Sequence, residues 1–230
     1  MKLILFDIDG TILWTNGAGR RAMESALTMH FGSAGPAAYR YDGKTDAQIV
    51  RESMREAGHD DSRIDRLMAG VLRDYLVKLE HELAAPHTAL RLYEGVVPLL
   101  EALEQRGDRI LGLLTGNVVI GATMKLRAVG VPVERFAVGA YGSDHEMRHE
   151  LPAIALNRAR LLSGAAIQGD RAIIIGDTPA DIQCGRGVGA RAIGVATGHY
   201  TVEQLNAHSP FAAFADLRDT AAVMRAIDDA

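Results

Sequence analysis

The sequence predicts an α/β fold of three layers, in which a parallel sheet lies between helices and an all-helical segment follows the first strand. Two observations carry this prediction. Short apolar runs of strand length alternate with stretches of helical periodicity, which is typical of βαβ units. The long stretch after the first apolar run shows helical periodicity alone, so we expect it to be helical throughout.

The predicted strands are continuous apolar runs, most of them rich in β-branched residues and bounded by glycine, aspartate or threonine. Runs of this kind are typical of strands that are buried on both faces of a parallel sheet. Four of the runs are clear and the last one named here is weaker. They span residues 3–6, 110–114, 172–175, 192–196 and 136–141.

Helix signals fill the segment after the first strand. Thr45 precedes a set of apolar residues at helical spacing, and Gly58 follows them as an expected C-terminal stop. The sequence from Ser62 to Asp65 resembles a capping box, after which apolar residues repeat at helical spacing as far as Leu79. These signals predict at least two helices in the segment.

The distance between the first two clear strands indicates an inserted domain. The first strand ends at Asp7 and the next clear one at Thr115, whereas a βαβ crossover takes about 30 residues or somewhat more. The whole chain has 230 residues, which is between one and two average domains. We therefore predict a Rossmann-like core domain of residues 1–15 and 92–230, and a helical cap domain of residues 16–91.

Composition and charge disfavour several classes of protein. Apolar residues make up 48% and charged residues 23%, as in an ordinary globular chain, and the net charge is −4. Without a basic field, we expect neither nucleic acid nor a membrane as partner. The single cysteine, Cys184, excludes an intrachain disulfide and fits a reducing compartment. The N-terminal apolar run is too short for a signal peptide, so a cytoplasmic protein is expected. Monomer and homodimer both stay open.

Acidic and hydroxyl side chains follow three of the predicted strands. Asp7, Thr115 and Asp177 stand at strand ends, and ligands bind beyond the carboxyl ends of parallel strands. Asp9 lies two residues after Asp7, so both carboxylates can face one site if the backbone stays extended. Asp181 follows Asp177 by one helical turn. We therefore expect these side chains to converge.

Crowded carboxylates repel one another, which raises their pKa values unless a cation is present. An all-oxygen donor set favours a hard divalent ion, and Mg²⁺ commonly uses one or two carboxylates together with a substrate phosphate. We therefore expect Mg²⁺ as the cofactor. Beside a bound metal, an ionised carboxylate can act as a nucleophile and form an acyl-phosphate.

Three motifs resemble those of the haloacid dehalogenase superfamily, and their order with the helical insert is similar to its phosphoglycolate-phosphatase-like branch. The motifs are Asp7-Ile8-Asp9-Gly10-Thr11, Thr115-Gly116-Asn117 and Gly176-Asp177-Thr178-Pro179-Ala180-Asp181. The resemblance covers nearly the whole chain. It implies a Mg²⁺-dependent phosphatase that hydrolyses a small phosphorylated, phosphoglycolate-like metabolite through an aspartyl-phosphate.

The resemblance also implies which residues act on the phosphoryl group. Asp7 would attack phosphorus, and Asp9 would protonate the leaving alcohol and then deprotonate the attacking water. Thr115 and the backbone N–H of Gly116 would donate hydrogen bonds to the phosphoryl oxygens, with Asn117 in the same phosphate-binding motif.

Further roles follow from the same resemblance. Asp7, the backbone carbonyl of Asp9 and Asp177 would hold Mg²⁺, with Asp181 in support. The family places a basic residue upstream of the last aspartate pair, where relatives often have lysine, and the candidate in this sequence is Arg148.

For three residues a structural explanation stays open beside the functional one. Asp181 could mainly cap the helix that begins after Thr178, and Arg148 could be a solvated surface charge. Lys44, just before the Thr45 cap, could neutralise an anionic substrate under the cap or simply face solvent.

Three other functions are weaker alternatives. A phosphomutase of the same superfamily would use the same residues. A phospho-accepting regulatory module would need neither the helical insert nor Asp9. A zinc peptidase is suggested by His145-Glu146-Met147-Arg148-His149, but Pro152 makes a stable helix there doubtful.

Overall fold

A parallel sheet forms the centre of the molecule, and its order follows from the pairing of the strands. The structure is a computed structural model that describes residues 1–86 and 88–230. In these residues the strands, in chain order, are β1 (Lys2–Phe6), β2 (Leu13–Trp14), β3 (Arg91–Leu92), β4 (Arg109–Thr115), β5 (Val138–Tyr141), β6 (Ala172–Gly176), β7 (Arg191–Val195) and β8 (Ala212–Phe214). The sheet has the order β5-β4-β1-β6-β7-β8, with every neighbouring pair parallel. The predicted α/β fold is therefore confirmed.

Helices cover both faces of this sheet and also form a separate group between β2 and β3. In chain order the α-helices of the described residues are α1 (Ala18–Phe31), α2 (Asp46–Glu56), α3 (Asp61–Ala84), α4 (Val96–Glu104), α5 (Val119–Ala128), α6 (Leu151–Ser163), α7 (Pro179–Cys184), α8 (Val202–Asn206) and α9 (Thr220–Asp229). No helix of the described residues is both long enough and apolar enough to cross a membrane.

The three layers arise from the alternation of side chains along the strands. Phe6 of β1 packs in one buried cluster together with residues of α4, α5 and α9, such as Leu99 and Leu126. Its neighbour Leu5 packs on the opposite face with residues of α6, such as Leu156. Because β1 is buried along its whole length, its carboxyl end opens into the interior at the level of Asp7.

All five predicted strands are present, with ends that differ from the predictions by one or two residues. The sixth strand, β8, was not predicted because its three residues are too short to show a periodicity. The two-residue strands β2 and β3 were also missed. They pair in an antiparallel manner, Leu13 opposite Leu92 and Trp14 opposite Arg91, where the chain leaves and re-enters the core.

Helices α1, α2 and α3 bury their apolar residues mainly against one another. Met23, Val50 and Tyr75 belong to one buried cluster. Val118, the residue just before α5, belongs to the same cluster. All three helices lie within the predicted cap range of residues 16–91, and the division into two domains stays a prediction.

The predicted caps of these helices have different outcomes. Thr45 caps α2 as predicted, because its hydroxyl accepts a hydrogen bond from the N–H of Gln48. The predicted capping box at Ser62 is wrong. Asp60 caps α3 instead, accepting from the N–H of Arg63, so Ser62 lies within the first turn and donates to the Asp60 carboxylate.

Candidate active site

The carboxyl ends of β1, β4 and β6 open into a cavity of about 490 Å³, which α1, α2 and the segment between them close on the other side. Nearly all the residues predicted for the site line this cavity. They are Asp7, Asp9, Lys44, Thr115, Gly116, Asn117, Arg148 and Asp177. The one predicted residue that does not line it is Asp181, which lies directly behind.

Three buried carboxylates meet at one edge of the cavity. Oxygen atoms of Asp7, Asp177 and Asp181 lie within 4.8 Å of one another. The backbone of Gly10 makes room for this cluster, since its φ is +85° and a Cβ there would lie 2.3 Å from Asp177 Oδ2. A non-glycine residue at this position would therefore displace a carboxylate of the cluster.

Burial and mutual repulsion act together on these carboxyl groups. The pKa of Asp7 is raised to about 7, mainly by burial; Arg148 lowers this pKa, while the negative charges of Asp181 and Asp9 raise it. Burial, and then the negative charges of Asp181 and Asp7, raise the pKa of Asp177 well above its ordinary value. A divalent cation would remove this repulsion, and the all-oxygen donor set is the kind that Mg²⁺ prefers. The residues present therefore fit a Mg²⁺ site.

Arg148 is buried at this cluster rather than placed on the surface. Its Nη2 lies 3.1 Å from Asp7 Oδ1 and also donates to Asp181 Oδ1 and, at 3.3 Å, to the backbone oxygen of Leu114. Burial alone would lower the pKa of Arg148, but the two carboxylates outweigh it and raise the pKa. The explanation of Arg148 as a solvated charge is therefore wrong.

Asp181 serves the helix and the cluster with different oxygens. Its Oδ2 accepts hydrogen bonds from the N–H of Thr178 at 2.9 Å and from the Thr178 hydroxyl at 2.7 Å, which with the reciprocal bond forms a capping box for α7. Its Oδ1 accepts from Arg148. The cap role that the sequence left open is thus present, and the same carboxylate also anchors Arg148.

The Asp9 carboxylate lies apart from the three clustered carboxylates. Its Oδ2 accepts a hydrogen bond from Asn117 Nδ2 and another from Lys125 Nζ, both at 2.7 Å. Among the described residues no side chain donates a hydrogen bond to its Oδ1. The Asp9 side chain lines the cavity and is 39% exposed. The two aspartates of the first motif therefore face the same cavity with different partners.

Thr115 and Asn117 are joined by the same set of bonds. Thr115 Oγ1 accepts from Asn117 Nδ2 at 2.9 Å and from the Asn117 N–H at 3.4 Å. Because the oxygen already accepts twice, the hydroxyl proton of Thr115 is left to donate into the cavity.

Sequence reasoning missed Lys125, a buried residue of α5 that also donates to Asn117 Oδ1 at 2.6 Å. A weak signal for it exists in the sequence. Gly121 and Lys125 lie one turn apart on the same face of α5, Asn117 lies four residues before Gly121 just ahead of the helix, and Lys125 ends a long uncharged stretch.

Sequence reasoning also missed how α2 contacts the loop after β4. The N–H of Asp46 donates to the backbone oxygen of Gly116, and Asp46 Oδ2 accepts from the N–H of Val118, both at 2.8 Å. Burial raises the pKa of Asp46 to about 6, against the lowering effect of Lys125. The N-terminus of α2 is therefore bonded directly to the predicted phosphate-binding motif.

Lys44 lines the cavity but already has partners. Its Nζ donates to Glu52 Oε2 at 2.7 Å and to the hydroxyl of Tyr39 at 2.8 Å.

His145 and His149, the two histidines of the zinc-peptidase pattern, do not line the cavity. His145 precedes a short 3₁₀ turn, Arg148–Glu150, and the α-helix that would place His145 and His149 on one face is absent there.

A family model described as haloacid dehalogenase-like hydrolase matches residues 4–186. The chain belongs to the haloacid dehalogenase-like hydrolases. The resemblance stated from the motifs and the prediction of a hydrolytic enzyme are thereby confirmed.

Individual relatives agree with this assignment. A phosphoglycolate phosphatase of Rhodospirillum rubrum is 26% identical over 228 residues, which cover 95% of this chain and 90% of that protein. A hydrolase structure from Pseudomonas syringae has a TM-score of 0.73 at 22% identity, over 99% of both chains. The structure of CbbY from Rhodobacter sphaeroides in complex with phosphate has a TM-score of 0.65 at 20% identity, over 95% of this chain and 96% of that one. The two structural matches support the fold.

Proposed function

We propose that this member of the haloacid dehalogenase-like hydrolases is a Mg²⁺-dependent phosphatase that acts on a small phosphorylated metabolite. The observation that carries the proposal is the separation of two carboxylates in one cavity. Asp7 faces the guanidinium of Arg148, while Asp9 is held by neutral and cationic donors on the other side. This arrangement supports Asp7 as the nucleophile and Asp9 as the acid and base.

In the proposed reaction, an oxygen of Asp7 bonds to phosphorus as the bond from phosphorus to the ester oxygen breaks. Asp9 gives its proton to that oxygen, so the product leaves as an alcohol. Asp9 then takes a proton from a water molecule, whose oxygen attacks phosphorus and releases phosphate and free Asp7. Thr115 and the N–H of Gly116 donate to the phosphoryl oxygens, where negative charge builds up.

Asp7, Asp177 and the backbone carbonyl of Asp9 are proposed to hold Mg²⁺, with Asp181 in support. The bound ion would neutralise charge on the phosphoryl oxygens. Arg148 has a related role within the protein, because its guanidinium contacts both Asp7 and Asp181, offsets their mutual repulsion and favours the ionised form of Asp7.

The substrate is proposed to be phosphoglycolate-like, which the similarity to the Rhodospirillum rubrum phosphatase supports. Lys44 is proposed to bind the part of the substrate that leaves, since it lines the cavity on the cap side. A panel of phosphorylated metabolites, assayed with Mg²⁺ and compared by kcat/KM, would identify the preferred compound.

Replacement of the nucleophile tests the proposed function. Asp7→Asn should lower kcat by at least about 10³-fold, as the loss of a covalent nucleophile does in other enzymes. Circular dichroism should show a folded protein, because the substitution keeps the shape and removes a buried charge. Asp170→Asn, a matched change of an exposed aspartate outside the cavity, should keep wild-type activity. Retained turnover in Asp7→Asn would refute the proposal.

Product analysis separates the phosphatase from the phosphomutase, which would use the same residues. A phosphatase releases one inorganic phosphate for each substrate molecule consumed. Substrate consumption without phosphate release would support a mutase instead.

A further inference from the structure

We propose that Lys125 is a positioning residue for the general acid and base, fixing the Asp9 carboxylate so that one defined oxygen faces the substrate. The inference rests on the proposed function, because it concerns how Asp9 performs the proton transfers. It assigns a role to a residue outside the three sequence motifs, on the helix that follows the second one.

The contacts of Asp9 are asymmetric. Lys125 Nζ and Asn117 Nδ2 both donate to Oδ2, so this oxygen is held from two sides at 2.7 Å. Oδ1 has no hydrogen-bond partner among the described residues, and because Asp9 lines the cavity, Oδ1 is the oxygen left to meet the substrate. A carboxylate held by one oxygen in this way cannot rotate without breaking two hydrogen bonds, one of them charge-assisted.

Lys125 also determines which way the Asn117 amide points. Its ammonium can only donate, so the atom of Asn117 that it meets at 2.6 Å must be the oxygen. The amide NH₂ is then directed to Asp9 and Thr115. Without Lys125 nothing in this network would prevent the amide from turning over, which would present its oxygen to the Asp9 carboxylate and repel it.

The ammonium is enclosed by the cap as well as by the core. Lys125 is 4% exposed, and a Cβ on Gly19 of α1 would lie 3.2 Å from its Nζ. The buried carboxylate of Asp46 interacts with it electrostatically from α2, and Tyr75 of α3 lies near the same point. Little of Lys125 is therefore open to water, although it lines the cavity, and this burial strengthens its bond to Asp9.

Lys125 could instead have a purely structural role, in which it balances the buried charge of Asp46. Such a role predicts the same loss of activity on every substrate, so two substrates that differ in their need for an acid distinguish it from positioning of Asp9. An alkyl phosphate needs a proton on its leaving oxygen, whereas 4-nitrophenyl phosphate expels 4-nitrophenolate, a stable anion that needs little acid catalysis. The value of kcat/KM reports the steps as far as departure of this group. Loss of Asp9 positioning should therefore affect the alkyl ester selectively.

The experiment compares wild type, Lys125→Met and Lys125→Arg on phosphoglycolate and on 4-nitrophenyl phosphate with Mg²⁺. We expect Lys125→Met to lower kcat/KM about 10- to 100-fold for the alkyl ester and less than about threefold for the aryl ester, since general acid catalysis contributes about 10²–10⁴-fold in total. Lys125→Arg keeps the charge and the donors, so its loss on the alkyl ester should be smaller.

The double variant Lys125→Met/Asp46→Asn controls for folding, because it also removes the buried Asp46 carboxylate, whose charge Lys125→Met alone would leave unbalanced. It should show the same selective loss. An equal loss on both esters, or no loss on either, would overturn the role of Lys125 while leaving the phosphatase intact. Absence of hydrolysis of either ester by the wild type would instead refute the proposed function, and this inference with it.

Discussion

At the scale of single residues, the partners of each side chain decide what it can do in the cavity. One carboxylate oxygen of Asp7 contacts Arg148, and one carboxylate oxygen of Asp9 accepts hydrogen bonds from Asn117 and Lys125. In both cases the second oxygen has no hydrogen-bond partner among the described side chains. Thr115 is arranged in the opposite sense, with its oxygen occupied and its proton available.

The hydroxyl of Thr115 provides a test at this scale. Thr115→Ala removes a donor to the phosphoryl oxygens and should lower kcat by about 10²–10³-fold, the usual cost of one such donor. Thr115→Ser keeps the hydroxyl and should stay within about tenfold of wild type. Steady-state kinetics would measure both, and equal kcat values for the two variants would contradict a role for the hydroxyl.

Among the elements, the contact between α2 and the loop after β4 brings the predicted cap and the predicted phosphate-binding motif together. Gly116 makes this contact possible, because a Cβ there would lie 2.0 Å from the backbone oxygen of Lys44. Backbone atoms cannot move aside as the end of a flexible side chain can. The glycine of this motif therefore serves the packing of the cap in addition to its proposed bond to the substrate.

Gly116→Ala should accordingly cost about 1–3 kcal/mol of the free energy of unfolding, as overpacking of a tight contact does. Gly107→Ala is a matched control, since nothing lies within 4 Å of a Cβ at that position. Urea denaturation would measure both variants. A Gly116→Ala protein as stable as Gly107→Ala would show that α2 is not held against the loop.

Asp46, at the same contact, predicts a pH-dependent stability. Its pKa is about 6 in the folded chain and 3.8 ordinarily, so the ionised carboxylate is less favourable in the folded state than in the unfolded state. The cost is fully present above pH 6 and disappears as the pH falls toward 3.8. It is on the order of 2–3 kcal/mol.

Asp46→Asn should therefore stabilise the protein by an amount of that order at pH 7.5 and by much less at pH 4.5. The substitution retains the acceptor for the N–H of Val118. Unfolding curves of both proteins at the two pH values would measure the difference. A gain that does not change with pH, or a loss at pH 7.5, would contradict the assignment of the cost to this carboxyl.

These elements also show how far the sequence alone leads. Asp7, Thr115 and Asp177 were predicted because the end of a buried strand is visible in sequence and strand ends of a parallel sheet converge. Lys125 and Asp46 were not, because their importance arises where the helices of residues 16–91 meet the rest of the chain. No local pattern encodes that contact, and Asp46 looks like an ordinary first-turn acid after the Thr45 cap.

At the scale of the whole molecule, negative charge is concentrated at the proposed Mg²⁺ site. The net charge is only −4, yet three carboxylates are buried within 4.8 Å of one another beside the guanidinium of Arg148. A chain folded in this way stores electrostatic repulsion, which a bound ion would relieve. Binding should therefore be visible as added stability of the whole fold.

Mg²⁺ at about ten times its dissociation constant should raise Tm by roughly 3–6 °C relative to protein treated with a chelator. Asp177→Asn removes one proposed ligand and should lose most of this shift, whereas Asp170→Asn should keep it. Scanning fluorimetry at constant ionic strength would measure the shifts. A shift of the same size in all three proteins would contradict a metal site at this cluster.

The covalent intermediate at Asp7 is the central claim, and trapping it is the most direct test. Protein quenched within one turnover with substrate and Mg²⁺ is treated with borohydride, which reduces an acyl-phosphate to the alcohol, and then digested for mass spectrometry. We expect homoserine in place of aspartate at position 7, and only when substrate is present. An unmodified Asp7 throughout a turnover that releases phosphate, or reduction at another aspartate, would contradict the proposed mechanism.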